Sequence, residues 1–392
     1  MFASLRGTRL YFDIDGAGLV PDGGAMRERP VAMLVHGGPG GDHSGFKPSM
    51  SPLAARMQLV YFDHRGQGRS DPADPASYTL DENVEDMEAL RRHLGLGPIV
   101  SIGTSYGGMV AMAHAARYPD AVSHLALIVT AAHGGFIPRA QQILQERGTA
   151  MQRRVGEMLW EGGFRSADEL RRYYDVMGPL YARRHDPAAA EVGRQRAIYA
   201  PEPLNRAFGP GGFLRRFDLR GELGRITAPT LILAGRHDWI CPPAFSEEIH
   251  RLIPGSDLRI FEESSHSIRV DEPQAMLDAI TRNAARSVGA AAEIGSIEVG
   301  KQADLTFIDL NTPAMRPLIQ LVPNLVHYGH PGIVHSVMAD GAFLMRDRKV
   351  LTLDEDALLH EAQVVTQRVW ERMIADNPDI PPPPGGLRWL DV

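Results

Sequence analysis

The sequence predicts an α/β protein with a doubly wound, mostly parallel sheet, and two patterns support this fold class. Up to about residue 130, short apolar runs alternate with amphipathic helical stretches, which is typical of βαβ units. Two further apolar runs, at residues 230–234 and 258–262, follow a long segment without strand patterns. Since 44% of the 392 residues are hydrophobic and 23% are charged, the chain can bury a large core, and wholesale disorder is not expected.

The individual elements follow from local patterns. The early apolar runs predict buried parallel strands at residues 31–36, 58–63, 99–104 and 125–130. Between the second and third runs, Val84, Met87 and Leu90 lie at helical spacing, and Asp81 is predicted to cap this helix, residues 80–93. Residues 134–226 are rich in Arg, broken by Gly and Pro, and helical in pattern. They are therefore predicted to be an insertion in a core formed by residues 1–133 and 227–284.

Residues 285–392 are predicted to form a small α+β extension. Apolar runs predict strands at residues 303–310, 333–338 and 342–345, and Asp340-Gly341 indicates a hairpin between the last two. A long helix is predicted to follow, with Asp354 as its cap.

The composition argues against several classes of protein. A net charge of −7 disfavours a general binder of nucleic acid or membrane surfaces. The single cysteine, Cys241, excludes an internal disulfide framework and a thiolate-rich metal site. No apolar run reaches the roughly 18 residues of a membrane span, and the N-terminal stretch lacks the apolar core of a signal peptide. We therefore expect a cytoplasmic protein that acts on a small-molecule substrate.

The strongest functional signal is Gly103-Thr104-Ser105-Tyr106-Gly107, which lies between a predicted strand and a predicted helix. This is the G-x-S-x-G nucleophile elbow in its strand–turn–helix setting, where the strained turn presents the serine hydroxyl. A serine needs a base to become nucleophilic, and the base needs a group that orients it. Asp238 and His266 each follow a late strand, in the order that this architecture requires. We predict that Ser105, Asp238 and His266 form a catalytic triad.

An oxyanion hole is also predicted. The run His36-Gly37-Gly38-Pro39-Gly40-Gly41 follows the first strongly apolar strand. The backbone N–H of Gly38 or Gly37 would act with that of Tyr106 to bind the tetrahedral oxygen, and such donors typically contribute about 3–4 kcal/mol each.

These motifs, together with the run from Asp63 to Ser70, resemble the α/β-hydrolase superfamily and its proline iminopeptidase-like branch. The resemblance covers residues 1 to about 284. It implies that residues 134–226 are a helical cap over the sheet. It also implies hydrolysis through an acyl-enzyme without a metal or other cofactor.

The chain departs from the family at the positions that would select the substrate. Iminopeptidases of this branch pair the substrate's free amine with acids, and the matching positions here are Leu204, Ala207 and Trp239. The cap also holds 16 arginines against 11 acids, and 10 of the 27 aromatic residues. We therefore expect a neutral or weakly anionic aromatic substrate. The predicted contacts are Trp160, Leu204, Phe208 and Trp239, while Glu161 and Glu222 remain alternative partners for an amine.

The extension resembles the C-terminal end of metal-dependent amidohydrolases, in their chlorohydrolase and methylthioadenosine deaminase branch. The resemblance rests on the segments 294–305, 323–326 and 337–341 and on the closing helix. That family binds metal on a barrel through H-x-H, which this chain lacks, so His327, His330 and His335 are not predicted to bind metal. An incomplete sandwich exposes strand edges and an apolar face, which must be covered. We therefore expect the extension either to dock on the hydrolase body or to pair with a second subunit, and of the two we favour a homodimer.

The leading interpretation is a serine hydrolase that cleaves an amide, carbamate, ester or lactone of an aromatic or apolar small molecule. The alternatives are a proline iminopeptidase and, as a non-enzyme, a ligand receptor on the same fold. The complete triad and oxyanion loop disfavour the receptor.

Overall fold

The computed structural model describes residues 1–22, 25–55, 57–273, 275, 299–313, 315–316, 321, 325, 330–339, 341–352 and 354–376. It forms two compact units, residues 1–280 with 317–330 and residues 281–316 with 331–392. Each unit is described separately below.

The first unit is built around an eight-stranded, mostly parallel sheet, which confirms the predicted fold class. Its chain contains the strands β1 (Phe2–Leu5), β2 (Thr8–Asp15), β3 (Leu19–Asp22), β4 (Ala25–Glu28), β5 (Val31–Val35), β6 (Gln58–Phe62), β7 (Ile99–Thr104), β8 (Val122–Ile128), β9 (Thr230–Gly235) and β10 (Asp257–Phe261). The sheet order is β1-β2-β6-β5-β7-β8-β9-β10, with β3 and β4 forming a separate hairpin. β1 and β2 are antiparallel to their neighbours, and all strands from β6 to β10 are parallel.

Ten α-helices of this unit accompany the sheet among the described residues. They are α1 (Lys47–Met50), α2 (Leu80–His93), α3 (Tyr106–Arg117), α4 (Phe136–Arg147), α5 (Ala150–Glu161), α6 (Ala167–Tyr181), α7 (Pro187–Arg196), α8 (Pro201–Phe208), α9 (Pro243–Leu252) and α10 (Ile268–Asp271). Helices α4 to α8 lie between β8 and β9 in the chain, in the segment predicted to be a cap, and this segment is called the cap below. One cluster of buried apolar side chains runs from Met33 of the sheet, through Met109 of α3, to Phe136 and Leu204 of the cap.

Helix α2 has the predicted bounds, but the prediction of its cap is wrong. Thr79, not Asp81, occupies the N-cap position, and its hydroxyl accepts a hydrogen bond from the N–H of Glu82 at 3.2 Å. Asp81 lies inside the first turn, where its charge favours the positive end of the helix dipole. Thr79 occupies the N-cap position because the free backbone N–H of Glu82 lies three residues after it, within reach of its hydroxyl.

The second unit contains a four-stranded antiparallel sheet and a long helix. The strands are β11 (Leu305–Ile308), β12 (Val334–Ala339), β13 (Ala342–Arg346) and β14 (Lys349–Val350), in that order. Helix α11 (Glu355–Asp376) begins as predicted after Asp354, whose carboxylate accepts a hydrogen bond from the N–H of Ala357 at 3.0 Å. The short strand β14 was not predicted. Asp340, half of the predicted hairpin, lies outside the described residues, while Gly341 follows it with a φ of 77°.

Among the described residues of both units, no helix has the length and apolar character required to cross a bilayer.

Candidate active site

Ser105 sits in a strained turn between β7 and α3. Its φ of 53° and ψ of −121° lie in a region that non-glycine residues rarely adopt. The turn is possible because neighbouring glycines let backbone segments touch. A Cβ at Gly107 would overlap the carbonyl of Val35, and one at Gly103 would overlap the carbonyl of Gly107. The side chain of Ser105 is consequently raised at the carboxyl end of the sheet and is partly exposed.

Two hydrogen bonds hold the strained residue in place. The N–H of Ser105 donates to the carbonyl of Ile128 at 2.8 Å, and the hydroxyl of Thr130 donates to the carbonyl of Ser105 at 2.7 Å. Both partners lie at the end of β8, so the adjacent strand fixes the turn.

Asp238 and His266 are joined directly. The Asp238 Oδ2 atom and the His266 Nδ1 atom are 2.7 Å apart, and the Asp238 carboxylate is fully buried. The other carboxylate oxygen, Oδ1, accepts the backbone N–H groups of Ile240 at 2.9 Å and Cys241 at 3.0 Å. Both oxygens of the carboxylate thus accept hydrogen bonds, and Oδ2 is placed to orient the imidazole with its proton on Nδ1.

The sheet brings the three predicted triad residues to one edge. Ser105 follows β7, Asp238 follows β9 and His266 follows β10, and these strands are parallel members of the sheet order β7-β8-β9-β10. The carboxyl ends of parallel strands share one edge of the sheet, which is where open α/β sheets hold their ligands.

The predicted oxyanion loop lies against Ser105. A Cβ at Gly37 would stand 3.1 Å from the Cβ of Ser105 and 3.0 Å from the carbonyl oxygen of Thr104. Gly38 has a φ of 120°, which requires glycine. Within the described part of the chain, the backbone N–H groups of Gly38 and Tyr106 have no acceptor. Two unpaired donors next to a serine hydroxyl are what an oxyanion hole consists of.

His36 orients this loop. Its Nδ1 atom is 2.8 Å from the carbonyl oxygen of Gly37, and its Nε2 atom accepts the backbone N–H of His64 at 3.1 Å. The second bond places the ring proton on Nδ1, so Nδ1 donates to the Gly37 carbonyl and fixes the peptide plane that carries the Gly38 N–H. Burial lowers the pKa of His36 and keeps the ring neutral.

Asp63, which begins the 63–70 run, holds a turn. Its buried carboxylate accepts the backbone N–H groups of His43 and Arg69, both at 2.8 Å.

Cys241 is also buried, and this burial raises the pKa of its thiol well above the usual value, so it stays protonated.

A row of aromatic rings leads from the cap to His266. Phe208 contacts Trp160 at 5.9 Å between ring centroids, and Trp160 contacts Trp239 at 6.3 Å. Trp239 and His266 each make a T-shaped contact with Tyr181, at 5.5 Å between ring centroids. Tyr181, the last residue of α6, was not singled out from the sequence beyond its place among the cap aromatics, because nothing local marks it as the neighbour of His266.

The three positions expected to carry acids in an iminopeptidase are buried and apolar. Leu204, Ala207 and Trp239 have exposed fractions of 2%, 0% and 0%. Leu204 also reaches the oxyanion loop, since its Cβ would lie 3.1 Å from a Cβ placed on Gly40. The indole N–H of Trp239 is buried and has no hydrogen-bond partner among the described residues.

Glu161 and Glu222 occupy other surroundings. Glu161 is exposed and lines an open groove of about 690 Å³ between the end of α5 and α8, together with Arg165, Glu202 and Asn205. None of the residues predicted for the triad, the oxyanion hole or the aromatic substrate contacts lines that groove. Glu222 is half-buried next to the short helical turn at Leu223–Arg225.

Within the described residues, no group of three or more His, Cys, Asp or Glu side chains is arranged to hold a metal ion. His335 of the extension contacts the Ser336 hydroxyl at 3.0 Å and the Asp347 carboxylate at 3.5 Å. His330 lies within the described residues and takes part in an interaction there, while His327 lies outside the described residues.

Comparison with known families agrees with this architecture. Residues 30–273 match the alpha/beta hydrolase fold family, and the chain belongs to that family and is a hydrolase. Residues 255–344 match the amidohydrolase family, which confirms the resemblance of the extension.

The similar proteins include curated proline iminopeptidases and a solved esterase structure. Proline iminopeptidase PfmaB of Pestalotiopsis fici is 33% identical over 269 residues, covering 67% of this chain and 94% of the relative. A proline iminopeptidase of Saccharolobus solfataricus is 29% identical over 271 residues, covering 63% and 82%. The solved structure of a thermophilic esterase from Thermogutta terrifontis has a TM-score of 0.53 and 27% identity, covering 73% of this chain and 97% of its own. The predicted resemblance to the proline iminopeptidase-like branch is confirmed.

Proposed function

We propose that the protein is a serine hydrolase with Ser105 as nucleophile, His266 as base and Asp238 as the group that orients the base. The Ser105 hydroxyl attacks the substrate carbonyl and passes its proton to His266 Nε2. The backbone N–H groups of Gly38 and Tyr106 take the negative charge on the tetrahedral oxygen, with Gly37 completing the loop. His266 then protonates the leaving group, which departs and leaves an acyl-enzyme. Water, deprotonated by His266, cleaves this ester and restores Ser105.

The substrate is a neutral aromatic or apolar amide, carbamate, ester or lactone. The observation that carries this proposal is that Leu204, Ala207 and Trp239, the positions matched to the acids of iminopeptidases, are apolar and buried. An ammonium without a carboxylate partner would lose several kcal/mol of hydration there. The unpaired indole N–H of Trp239 is a donor, so it favours an acceptor on the substrate and disfavours an ammonium.

Proline iminopeptidase activity is the second candidate, and the names of the curated relatives favour it. That activity would need a carboxylate near the substrate amine. Glu161 and Glu222 are the candidates that the sequence offered, and Glu161 faces the separate groove.

Two measurements test these proposals. Labelling by a fluorophosphonate probe should be strong in the native protein and absent in Ser105→Ala; equal labelling of both would refute the role of Ser105. A proline arylamide with a free amine should then be compared with its N-acylated form and with aryl esters and carbamates. A strong preference for the free amine would reject the neutral substrate and establish the iminopeptidase.

A further inference from the structure

The loop that carries His266 has limited support from the sheet. It follows β10, which is the last strand in the sheet order and, among the described strands, pairs only with β9. A loop after an edge strand has a neighbouring strand on one side only. The orientation of His266 must therefore be secured from the other side by something else.

The end of helix α6 supplies this support. Ser267, directly after His266, donates its N–H to the carbonyl of Tyr181 at 2.9 Å. Ser265, directly before His266, donates its hydroxyl to the carbonyl of Leu180 at 2.6 Å. The ring of Tyr181 then packs against the imidazole itself. Both chain neighbours of His266 are thus bound to the cap.

Asp271 closes this arrangement with a single buried carboxylate. Its Oδ2 atom accepts the N–H of Ser265, and its Oδ1 atom accepts the N–H of Arg184 from the cap, both at 2.8 Å. The residue has an exposed fraction of 0%. A buried carboxylate is costly unless its oxygens are satisfied, and here each oxygen binds a backbone donor from a different segment.

We propose that Asp271 is a positioning residue that, through Ser265 and Arg184, locks the His266 loop to the cap and so fixes the imidazole for catalysis. We name these contacts between residues 180–184 and 265–271 the cap clamp. The proposal rests on the assignment of His266 as the base, and it makes the end of α6 a fixed support for the base.

The adjacent acid provides a matched control. Glu272 also binds this loop, but one oxygen, Oε2, accepts both the N–H of Glu263 at 3.0 Å and the hydroxyl of Ser264 at 2.6 Å. The single carbonyl oxygen of a glutamine can keep both bonds. Asp271→Asn must lose one, because its amide NH₂ would face a backbone N–H. Both substitutions replace a carboxylate by an amide, but only Glu272→Gln can preserve both hydrogen bonds that the native side chain accepts.

The test compares Asp271→Asn with Glu272→Gln in the full chain, with active protein counted by end-point fluorophosphonate labelling. Asp271→Asn is expected to lower kcat by about 10- to 100-fold per labelled site, with KM changed less than about twofold. Measured well below the unfolding midpoint of both variants, the downfield proton resonance of the His266 Nδ1–H should broaden in Asp271→Asn and stay sharp in Glu272→Gln. Glu272→Gln should stay within about twofold of the native kcat.

Equal kcat values for the two variants, or an unchanged proton resonance in Asp271→Asn, would overturn the positioning role. If Asp271→Asn does not fold, Ser265→Ala removes the hydroxyl, which lies 2.6 Å from the carbonyl oxygen of Leu180 and 3.2 Å from that of His237. The N–H bond from residue 265 to Asp271 is kept. Ser265→Ala should lower kcat several-fold, and an unchanged kcat would reject the clamp. Full activity of His266→Ala would instead refute the proposed function, so the two failures are distinguishable.

Discussion

Replacing Asp238 by asparagine is expected to lower kcat by about 10⁴-fold while the fold is kept. The structure fixes how the amide will sit. Asp238 Oδ1 accepts two backbone N–H groups, from Ile240 and Cys241. Only the amide oxygen can take that place, because an NH₂ group there would face two donors. The NH₂ group must therefore replace Oδ2 and point at His266 Nδ1.

This orientation puts the proton of His266 on the wrong nitrogen. With a donor facing it, Nδ1 must accept, so the ring proton moves to Nε2. A protonated Nε2 cannot take the proton of Ser105, and only the oxyanion hole and substrate binding remain to accelerate the reaction. Loss of the correct tautomer costs about 10⁴-fold in kcat, or about 5 kcal/mol in the activation barrier.

The assay is the steady-state hydrolysis of an activated aryl ester, together with thermal unfolding of each variant. Asp257→Asn is the control, because Asp257 is exposed and pairs with Arg259 at 2.8 Å, so its kcat should not change. A fall of less than about tenfold in Asp238→Asn, with native stability, would refute the role of Asp238 in holding the tautomer.

Three further predictions concern stability and assembly. Burial lowers the pKa of His36 and of His64, so below about pH 6.5 the unfolded chain binds more protons and the free energy of unfolding should fall, by at most about 1.4 kcal/mol per pH unit for each ring. In urea titrations between pH 7.5 and 5.5, His64→Asn should reduce this slope, and an unchanged slope would contradict the assignment. Gly107→Ala should cost roughly 1–3 kcal/mol because its Cβ would overlap backbone atoms of β5, whereas Gly193→Ala, with open space around it inside α7, should not destabilise; equal midpoints in urea would reject this packing argument. Light scattering should give twice the mass of one chain, and Val369→Glu, at an apolar position of α11 that is 61% exposed, should halve it; a single-chain mass for the native protein would refute the dimer.

The parts of the site that local sequence determines were predictable. The bounds of β7 follow from one apolar run, and the turn at Ser105 follows from glycines whose absent side chains let strands and helix touch. Asp238 and His266 could be paired because the ends of neighbouring parallel strands meet at one edge. These inferences need only periodicity, turn chemistry and chain order.

The contacts that the sequence did not reveal are long-range and have no local signature. The cap clamp joins Ser265 to Leu180, which is 85 residues away, and Asp271 to Arg184, which is 87 residues away. No spacing rule connects such residues, because their distance depends on how the cap folds back on the sheet. Thr79 was missed for a different reason: Asp81 and Thr79 are both acceptable caps, and only the backbone geometry selects one.

The difference between an iminopeptidase and a hydrolase of neutral substrates lies in whether the positions that meet the substrate amine carry acids. Both reactions need the same nucleophile, base and oxyanion donors, so these residues select no substrate. At the positions matched to the iminopeptidase acids an ammonium would find Leu204, Ala207 and the N–H of Trp239, and it would lose hydration without gaining a counter-charge. An aromatic group would instead gain about 25 cal/mol for each Å² of apolar surface removed from water, and about 0.5–1.5 kcal/mol for each edge-to-face ring contact. The balance of these terms favours the neutral substrate, even though the nucleophile and its partners would serve either reaction.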